Sequence, residues 1–417
     1  MILKNKEAYL TITAQLVQLF CAILLLKFLA STLTKSDFAN YSLIMAMLSL
    51  ITTLPFTSLL QGYMRYVSIY TQRGLFKKYY QVVILITLIL LFICVFFLSL
   101  VNYLFELPSF LAANLLGFLF LVLTEVIKIT TRGIENAKRN RTSYALSILI
   151  EFSVKLTLLY MSYKYLGYSS LSVVILAFSV ANLLSIIATI RKKELYRFEV
   201  GCRFLSIISK RLLLFSSPLI IWAGFGWARD MSGRWLLDFY TDKNDVAVYA
   251  LMASIAMIIP TVLQSSIGAY LVPILYENEN KQPGYTRKIL FKLIPALLFF
   301  VIIGTIVCNF SKVWLVTTFA SEKYKEGAWM LPFMFFSYSI FIVSMMSTYE
   351  IFAYKQTKLM LWPNLISGVT SIFLGLILTP FYGLEGMVVT YTLSYLSYAI
   401  LAFALSLKFN PQSYKRG

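Results

Sequence analysis

Positive charge in this chain is confined almost entirely to alternate loops between long apolar runs. A helix needs about 20 apolar residues to cross a bilayer. Runs of that kind cover roughly 8–30, 38–60, 79–101, 108–130, 142–164, 169–190, 212–239, 246–275, 289–310, 329–351, 358–380 and 386–407. Twelve spans are therefore expected. Of the 37 Lys and Arg residues, 25 fall in the N-terminal segment and every second loop after it. The intervening loops hold 6: Lys35, Lys164, Lys243, Lys312, Lys323 and Lys325. Such a bias is the positive-inside asymmetry. It predicts that both termini are cytoplasmic and that the basic loops lie against the anionic leaflet.

Composition agrees with this class. Charged residues are 13% of the 417 and hydrophobic residues 59%, whereas a soluble domain carries about 25% charged residues. The fold class read from the sequence is an all-α polytopic membrane protein. The first run is too long for a cleaved signal peptide, and no small-residue cleavage site follows it. The net charge of +19 resides in loops on one side, so no nucleic-acid partner is expected. The chain has no histidine, the commonest general base and metal ligand. Cys21, Cys94, Cys202 and Cys308 show no C-x-x-C spacing. No catalytic residue, metal or cofactor is expected.

The longest polar segment, RKKELYRFEVGCRFLSIISKR at 191–211, divides the runs into two groups of six. The expected organisation is an N-terminal six-helix bundle at 1–190, a basic cytoplasmic linker at 191–211 lying on the membrane surface, and a C-terminal bundle at 212–417. Two such halves are related by an axis along the membrane normal. A weak repeat supports this. Segment 27–43 aligns with 234–251 after one insertion, bringing Lys27 to Arg234, Thr34 to Thr241, Asp37 to Asp245, Ala39 to Ala247 and Tyr41 to Tyr249. Farther on, Ala137 meets Ala353, Arg139 meets Lys355 and Gly167 meets Gly383. Proline is concentrated in the second half, including Pro218, Pro260, Pro295, Pro332 and Pro363. More bent helices are expected there.

Ionisable groups at bilayer depth cost several kcal/mol and usually face a cavity. Lys27, Glu125, Lys128, Glu151, Lys155, Arg229, Asp230 and Arg234 lie within the runs. Spacing suggests the pairs Glu125–Lys128, Glu151–Lys155 and Asp230–Arg234. Pairing within helices leaves Lys27 and Arg229 uncompensated, which predicts a net cationic cavity for an anionic substrate. Glu350 and Lys292 lie near cytoplasmic ends, where snorkelling suffices. Gly224, Gly226, Gly233 and Pro218 permit a break beside Arg229 and Arg234.

Several segments resemble Wzx-type flippases of the polysaccharide transporter family, within the multidrug/oligosaccharidyl-lipid/polysaccharide (MOP) exporters. They are LTKSDFANYSLIMA, SLLQGYMRYVS, RGIENAKRNR, SGRWLLDFY with DVAVYALMASIA, and PFYGLEGMVVTYTLSY. Their order and spacing over nearly the whole chain carry the resemblance. It implies a MATE-like fold of two six-helix bundles around a central cavity, in the bacterial inner membrane. It implies transport, not catalysis: an undecaprenyl-pyrophosphate-linked oligosaccharide, such as an O-antigen repeat unit, passes from the cytoplasmic to the periplasmic leaflet. The implied substrate-holding cations are Lys27, Lys155, Arg229 and Arg234. Glu125, Glu151 and Asp230 are candidates for ion coupling or counter-charge. Expected partners are the lipid-linked oligosaccharide, membrane lipids, a polysaccharide polymerase and a chain-length regulator.

Three alternatives fit the sequence less well. A membrane glycosyltransferase or polymerase usually has a large outer loop, and the longest here, about 311–328, is short. A drug or cation exporter of the same fold would favour acids over bases in its cavity. A major-facilitator sugar transporter would carry a Gly-x-x-x-Asp-Arg pattern that QGYMRYVSIYTQRGLFKK lacks.

Overall fold

The computed structural model describes residues 5–105, 108–138, 140–167, 170–196, 199–354 and 356–410. It is 91% helical, without a strand among the described residues. Two compact units divide at Gly224 and Phe225. Unit 1 contains α1 (Asn5–Thr32), α2 (Lys35–Ile51), α3 (Ser58–Gln72), α4 (Phe76–Phe105) and α5 (Ser109–Ala112). It continues with α6 (Leu115–Ala137), α7 (Arg141–Leu166), α8 (Leu171–Ile187), α9 (Lys192–Leu195) and the first part of α10 (Cys202–Tyr240). Unit 2 holds the rest of α10, α11 (Lys243–Lys281), α12 (Tyr285–Phe319), α13 (Leu331–Ser347), α14 (Tyr349–Ala353) and α15 (Leu361–Lys408).

Among the described residues, nine helical stretches are long and apolar enough to cross a membrane. Besides the short α5, α9 and α14, two helices fall outside that set for physical reasons. α6 carries Glu125, Lys128, Arg132 and Glu135 in one stretch, and α8 has only 17 residues. The stretch Lys358–Lys408 is 51 residues long and is interrupted by non-helical backbone at Gly383 (φ 52°, ψ −128°).

The helices are inverted relative to those of a soluble protein. α4 and α12 turn Phe92, Phe96, Phe97, Phe299, Phe300 and Phe310 outward, all exposed. α15 buries Asn364, Ser367, Gly368, Ser371 and Gly375 at helical spacing. Without a hydrophobic drive between helices in lipid, small residues let backbones approach and pack. At Gly368 a Cβ would lie 2.6 Å from the Phe225 carbonyl oxygen, so this crossing needs glycine.

The repeat is visible in local geometry. Thr34 caps α2, its hydroxyl accepting the Asp37 N–H at 3.0 Å. Asp242 caps α11 in the same way, accepting the Asp245 N–H at 2.9 Å. One turn on, Ala39 and Leu43, like Ala247 and Leu251, are fully buried. The aligned glycines Gly167 and Gly383 both have positive φ, as do Gly74 before α4 and Gly284 before α12. Arg139 and Lys355 lie outside the described residues.

Proline lies inside helical segments in both halves. Pro55, in the first half, sits in a π-helical turn, Thr52–Thr57, between α2 and α3. Pro218 and Pro295 lie within helices of 39 and 35 residues that continue past them. α10 is also unbroken at Gly224, Gly226 and Gly233.

Segment 191–211 is built into unit 1. Gln81 of α4, fully buried, donates to the Glu194 carbonyl at 2.8 Å and accepts the Glu199 N–H at 3.0 Å. Lys77 pairs with Glu199 at 2.5 Å. Ile208 and Leu212 then join a core with Tyr63, Val67, Tyr70 and Tyr79. The amide side chain supplies a donor to the end of α9 and an acceptor for the Glu199 N–H, as covered backbone groups need.

Candidate functional site

Three helices of unit 1 converge on one buried set of charges. α6 places Glu125, Lys128 and Arg132 on a single face, and α7 does the same with Ser147, Glu151 and Lys155. Lys128 and Glu151 are the centre. The Lys128 ammonium donates to Glu125 at 2.8 Å, to Glu151 at 2.8 Å and to Asn182 of α8 at 3.0 Å. Glu151 also receives Lys155 at 2.5 Å and Arg132 at 2.7 Å. Asn182 returns a donor to Glu125 at 2.8 Å. Arg132 holds Ser147 at 2.9 Å and Ser185 at 2.8 Å.

The two expected pairs, Glu125–Lys128 and Glu151–Lys155, are therefore joined into one network. Among the described residues it contains three cations and two carboxylates. Lys155 is buried and packs its ammonium 4.5 Å from the centroid of the Phe178 ring. An unpaired buried charge costs several kcal/mol, and here each charge has an opposite neighbour. The sum is still positive by one.

Sequence reasoning missed Arg132, Asn182, Ser147 and Ser185. The expected fourth run ended at 130, so Arg132 fell into a loop motif. α6 continues to Ala137. Its spacing of four from Lys128 was the available signal.

In unit 2 the central pair is Arg229 and Asp230. Arg229 Nε lies 2.8 Å from Asp230 Oδ1, and the Tyr395 hydroxyl donates to the same oxygen at 2.7 Å. The guanidinium is covered by Phe341, Tyr395 and Tyr398, with centroids 4.2, 5.1 and 5.2 Å away. Arg229 is thus not an uncompensated cation. Adjacent residues on a helix do not normally face each other, so spacing alone could not show this pair. The Arg229 side chain is 4% exposed and that of Asp230 31%. The carboxylate is the accessible partner. Lys27 is exposed on α1, and Arg234 is partly buried on α10.

Glu350 differs from the snorkelling expectation as well. It is buried at 2% exposure and bridged by Arg287 at 3.0 Å. Asp242 caps α11, Asp245 lies in its first turn, and Asp238 pairs with Lys243 at 2.5 Å.

The family model for polysaccharide biosynthesis proteins matches residues 5–279. The chain belongs to that family. Solved structures of the same fold include a lipid II flippase, MurJ, in an inward closed conformation. It is 15% identical, with a TM-score of 0.74 over 99% of this chain and 89% of that one. An inward-facing multidrug resistance MATE transporter of the MOP superfamily is 14% identical, with a TM-score of 0.70 over 94% of each chain. A mutant of the Vibrio cholerae MATE transporter VcmN is 15% identical, with a TM-score of 0.65 over 97% of each chain. No curated protein matches the sequence. At these identities the structures establish the fold: this polysaccharide biosynthesis family member has the MurJ/MATE architecture of a multi-pass membrane protein.

Proposed function

We propose that this chain is a flippase for an undecaprenyl-pyrophosphate-linked oligosaccharide, an O-antigen or similar repeat unit. It moves the unit from the cytoplasmic to the periplasmic leaflet of a bacterial inner membrane by alternating access. The observation that carries this reading is the surplus cation in the buried network of unit 1, within a polysaccharide biosynthesis family and a flippase fold. A diphosphate passing the network supplies the missing negative charge. No covalent chemistry is required.

Twelve spans in two six-helix bundles fit this reading. The nine apolar stretches are joined by α6 and α8, and Gly383 divides the longest stretch into two. The segment around 191–211 connects the bundles, and the positive-inside bias puts both termini in the cytoplasm. Lys27, Lys155 and Arg234 hold the pyrophosphate or acidic sugars. Arg229 keeps Asp230 in place. Of the acids, Glu125 and Asp230 are the more open and suit ion coupling, while Glu151 serves as counter-charge. A polymerase and chain-length regulator would receive the product.

The test is flipping of lipid-linked oligosaccharide in proteoliposomes holding the purified chain. Wild type should move it, and Lys27→Ala, Lys155→Ala and Arg234→Ala should each slow it while remaining inserted. Unimpaired flipping by all three would sink the cation assignment. Export of organic cations without oligosaccharide flipping would favour a drug transporter.

A further inference from the structure

A buried acid at one end of unit 2 has half of its carboxylate unmatched. Glu350 opens α14, beyond the apolar stretch Glu322–Ser347. Its Oε2 accepts Arg287 Nε at 3.0 Å. Its Oε1 is buried and has no hydrogen-bond partner among the described residues. An ionised carboxylate in this setting bears the full desolvation penalty on one oxygen.

Among the described residues, the surroundings offset it only through Arg287. From α12, Arg287 is shared: besides Glu350 it donates to the carbonyls of Phe409 and Ser406 where α15 ends. From α11, Glu279 adds a second negative charge. That acid is well satisfied, accepting Gly284 N–H and Thr286 N–H at 2.7 Å each and the Tyr354 hydroxyl at 2.9 Å. On its own helix Glu350 has Tyr349, and Tyr354 follows the helix end. α13 brings only one ionisable group, Tyr338, and Lys358 of the adjoining 3-10 turn Thr357–Met360 is exposed. Among the described residues, Glu350 therefore has one arginine, itself also held by carbonyls, and a second acid nearby.

We propose that Glu350 is a proton-binding site that latches this end of unit 2. With a proton on Oε1, the α11–α12 turn, α14 and the end of α15 stay closed around Arg287 as observed. Without it, the end loosens and exposes the carboxylate to water. A neutral carboxyl keeps its acceptor for Arg287 and removes the uncompensated charge. Burial raises the Glu350 carboxyl above its ordinary value, against the opposing pull of Arg287. The sign follows: a carboxyl raised on folding stabilises the closed form below its unfolded value, and that stabilisation is lost as pH rises through the folded value. The latch is independent of which substrate the chain carries.

Hydrogen–deuterium exchange of the full chain in nanodiscs tests it, comparing wild type with Glu350→Gln at matched pH so that intrinsic exchange rates cancel. Backbone amides of 277–288 and 349–354 should exchange faster in wild type at alkaline pH and approach parity as pH falls. Parity throughout, or a ratio that does not change with pH, overturns the proposal. Should Glu350→Gln fail to fold, wild type alone decides. After correction for intrinsic rates, its protection in these peptides must fall as pH rises, and a flat profile overturns the latch. Glu279→Gln must keep the pH dependence; its loss there would assign the proton to Glu279 and overturn the role of Glu350.

Discussion

Lys128 and Glu151, 23 residues apart and on different helices, are joined ammonium to carboxylate at 2.8 Å. That contact turns two ordinary one-turn pairs into a single network across α6, α7 and α8. It also changes what a substitution must do. Glu151 answers three cations at 2.5–2.8 Å, so neutralising it strands all three beside Glu125 alone.

Glu151→Gln should therefore lower stability by about 3–5 kcal/mol, the usual cost of breaking a buried ion pair. Were Glu151 and Lys155 an isolated pair, Glu151→Gln with Lys155→Gln would recover what either change loses. Lys128 and Arg132 still face the vacated position, so the double variant should remain less stable than Lys155→Gln alone. Thermal unfolding of the four proteins in one detergent gives the cycle. Full recovery in the double variant would show that the pair is isolated.

Arg229 and Tyr395 should separate by magnitude. Arg229→Ala empties a site enclosed by three rings and leaves Asp230 with the Tyr395 hydroxyl. A loss of about 3–5 kcal/mol is expected. Tyr395→Phe removes one hydrogen bond to a charged acceptor and keeps the ring over Arg229, so about 1.5–3 kcal/mol is expected. Equal losses, read from unfolding midpoints, would contradict the geometry.

Gln81 should matter to the segment it clamps. Gln81→Ala removes both bonds to the backbone of Glu194 and Glu199. Trypsin should then cut within 191–203 faster, while cutting elsewhere stays unchanged. Glu is a poor substitute because it offers no donor to the Glu194 carbonyl. Cleavage at the wild-type rate in both variants would mean that Lys77–Glu199 and the apolar packing hold the segment alone.

The helical membrane class was legible because hydropathy and loop charge are properties of whole segments, and every helix contributes to them. The repeat was legible at Asp37 and Asp245, in the first turn of each helix, but the caps themselves are Thr34 and Asp242. The insertion therefore falls before the cap, whereas the alignment of Thr34 with Thr241 put it after. The site was legible only along single helices. Glu125–Lys128 and Glu151–Lys155 follow from spacing, but Lys128–Glu151 and Arg132–Glu151 depend on how α6 rotates against α7. No linear pattern encodes that rotation. Tyr395 on Asp230 and Gln81 on segment 194–199 are hidden for the same reason: each joins residues more than a hundred positions apart.

The aligned glycines Gly167 and Gly383 should respond differently to the same replacements. Neither lacks room: a Cβ at Gly167 meets nothing within 4 Å, and one at Gly383 lies 3.7 Å from the Thr241 methyl. Any loss is therefore a backbone effect. Gly167 (φ 73°, ψ −1°) caps α7 in the left-handed region, where alanine costs about 1–2 kcal/mol and asparagine is tolerated. Gly383 (φ 52°, ψ −128°) lies outside that region, in backbone space that side chains other than glycine rarely enter. Alanine there should cost about 2–3 kcal/mol. Asparagine should rescue Gly167 but not Gly383, since its tolerance is for left-handed helical ψ near +45°. Unfolding midpoints of the four single variants decide it. Equal rescue by asparagine at both positions would mean that Gly383 relaxes into an ordinary left-handed cap.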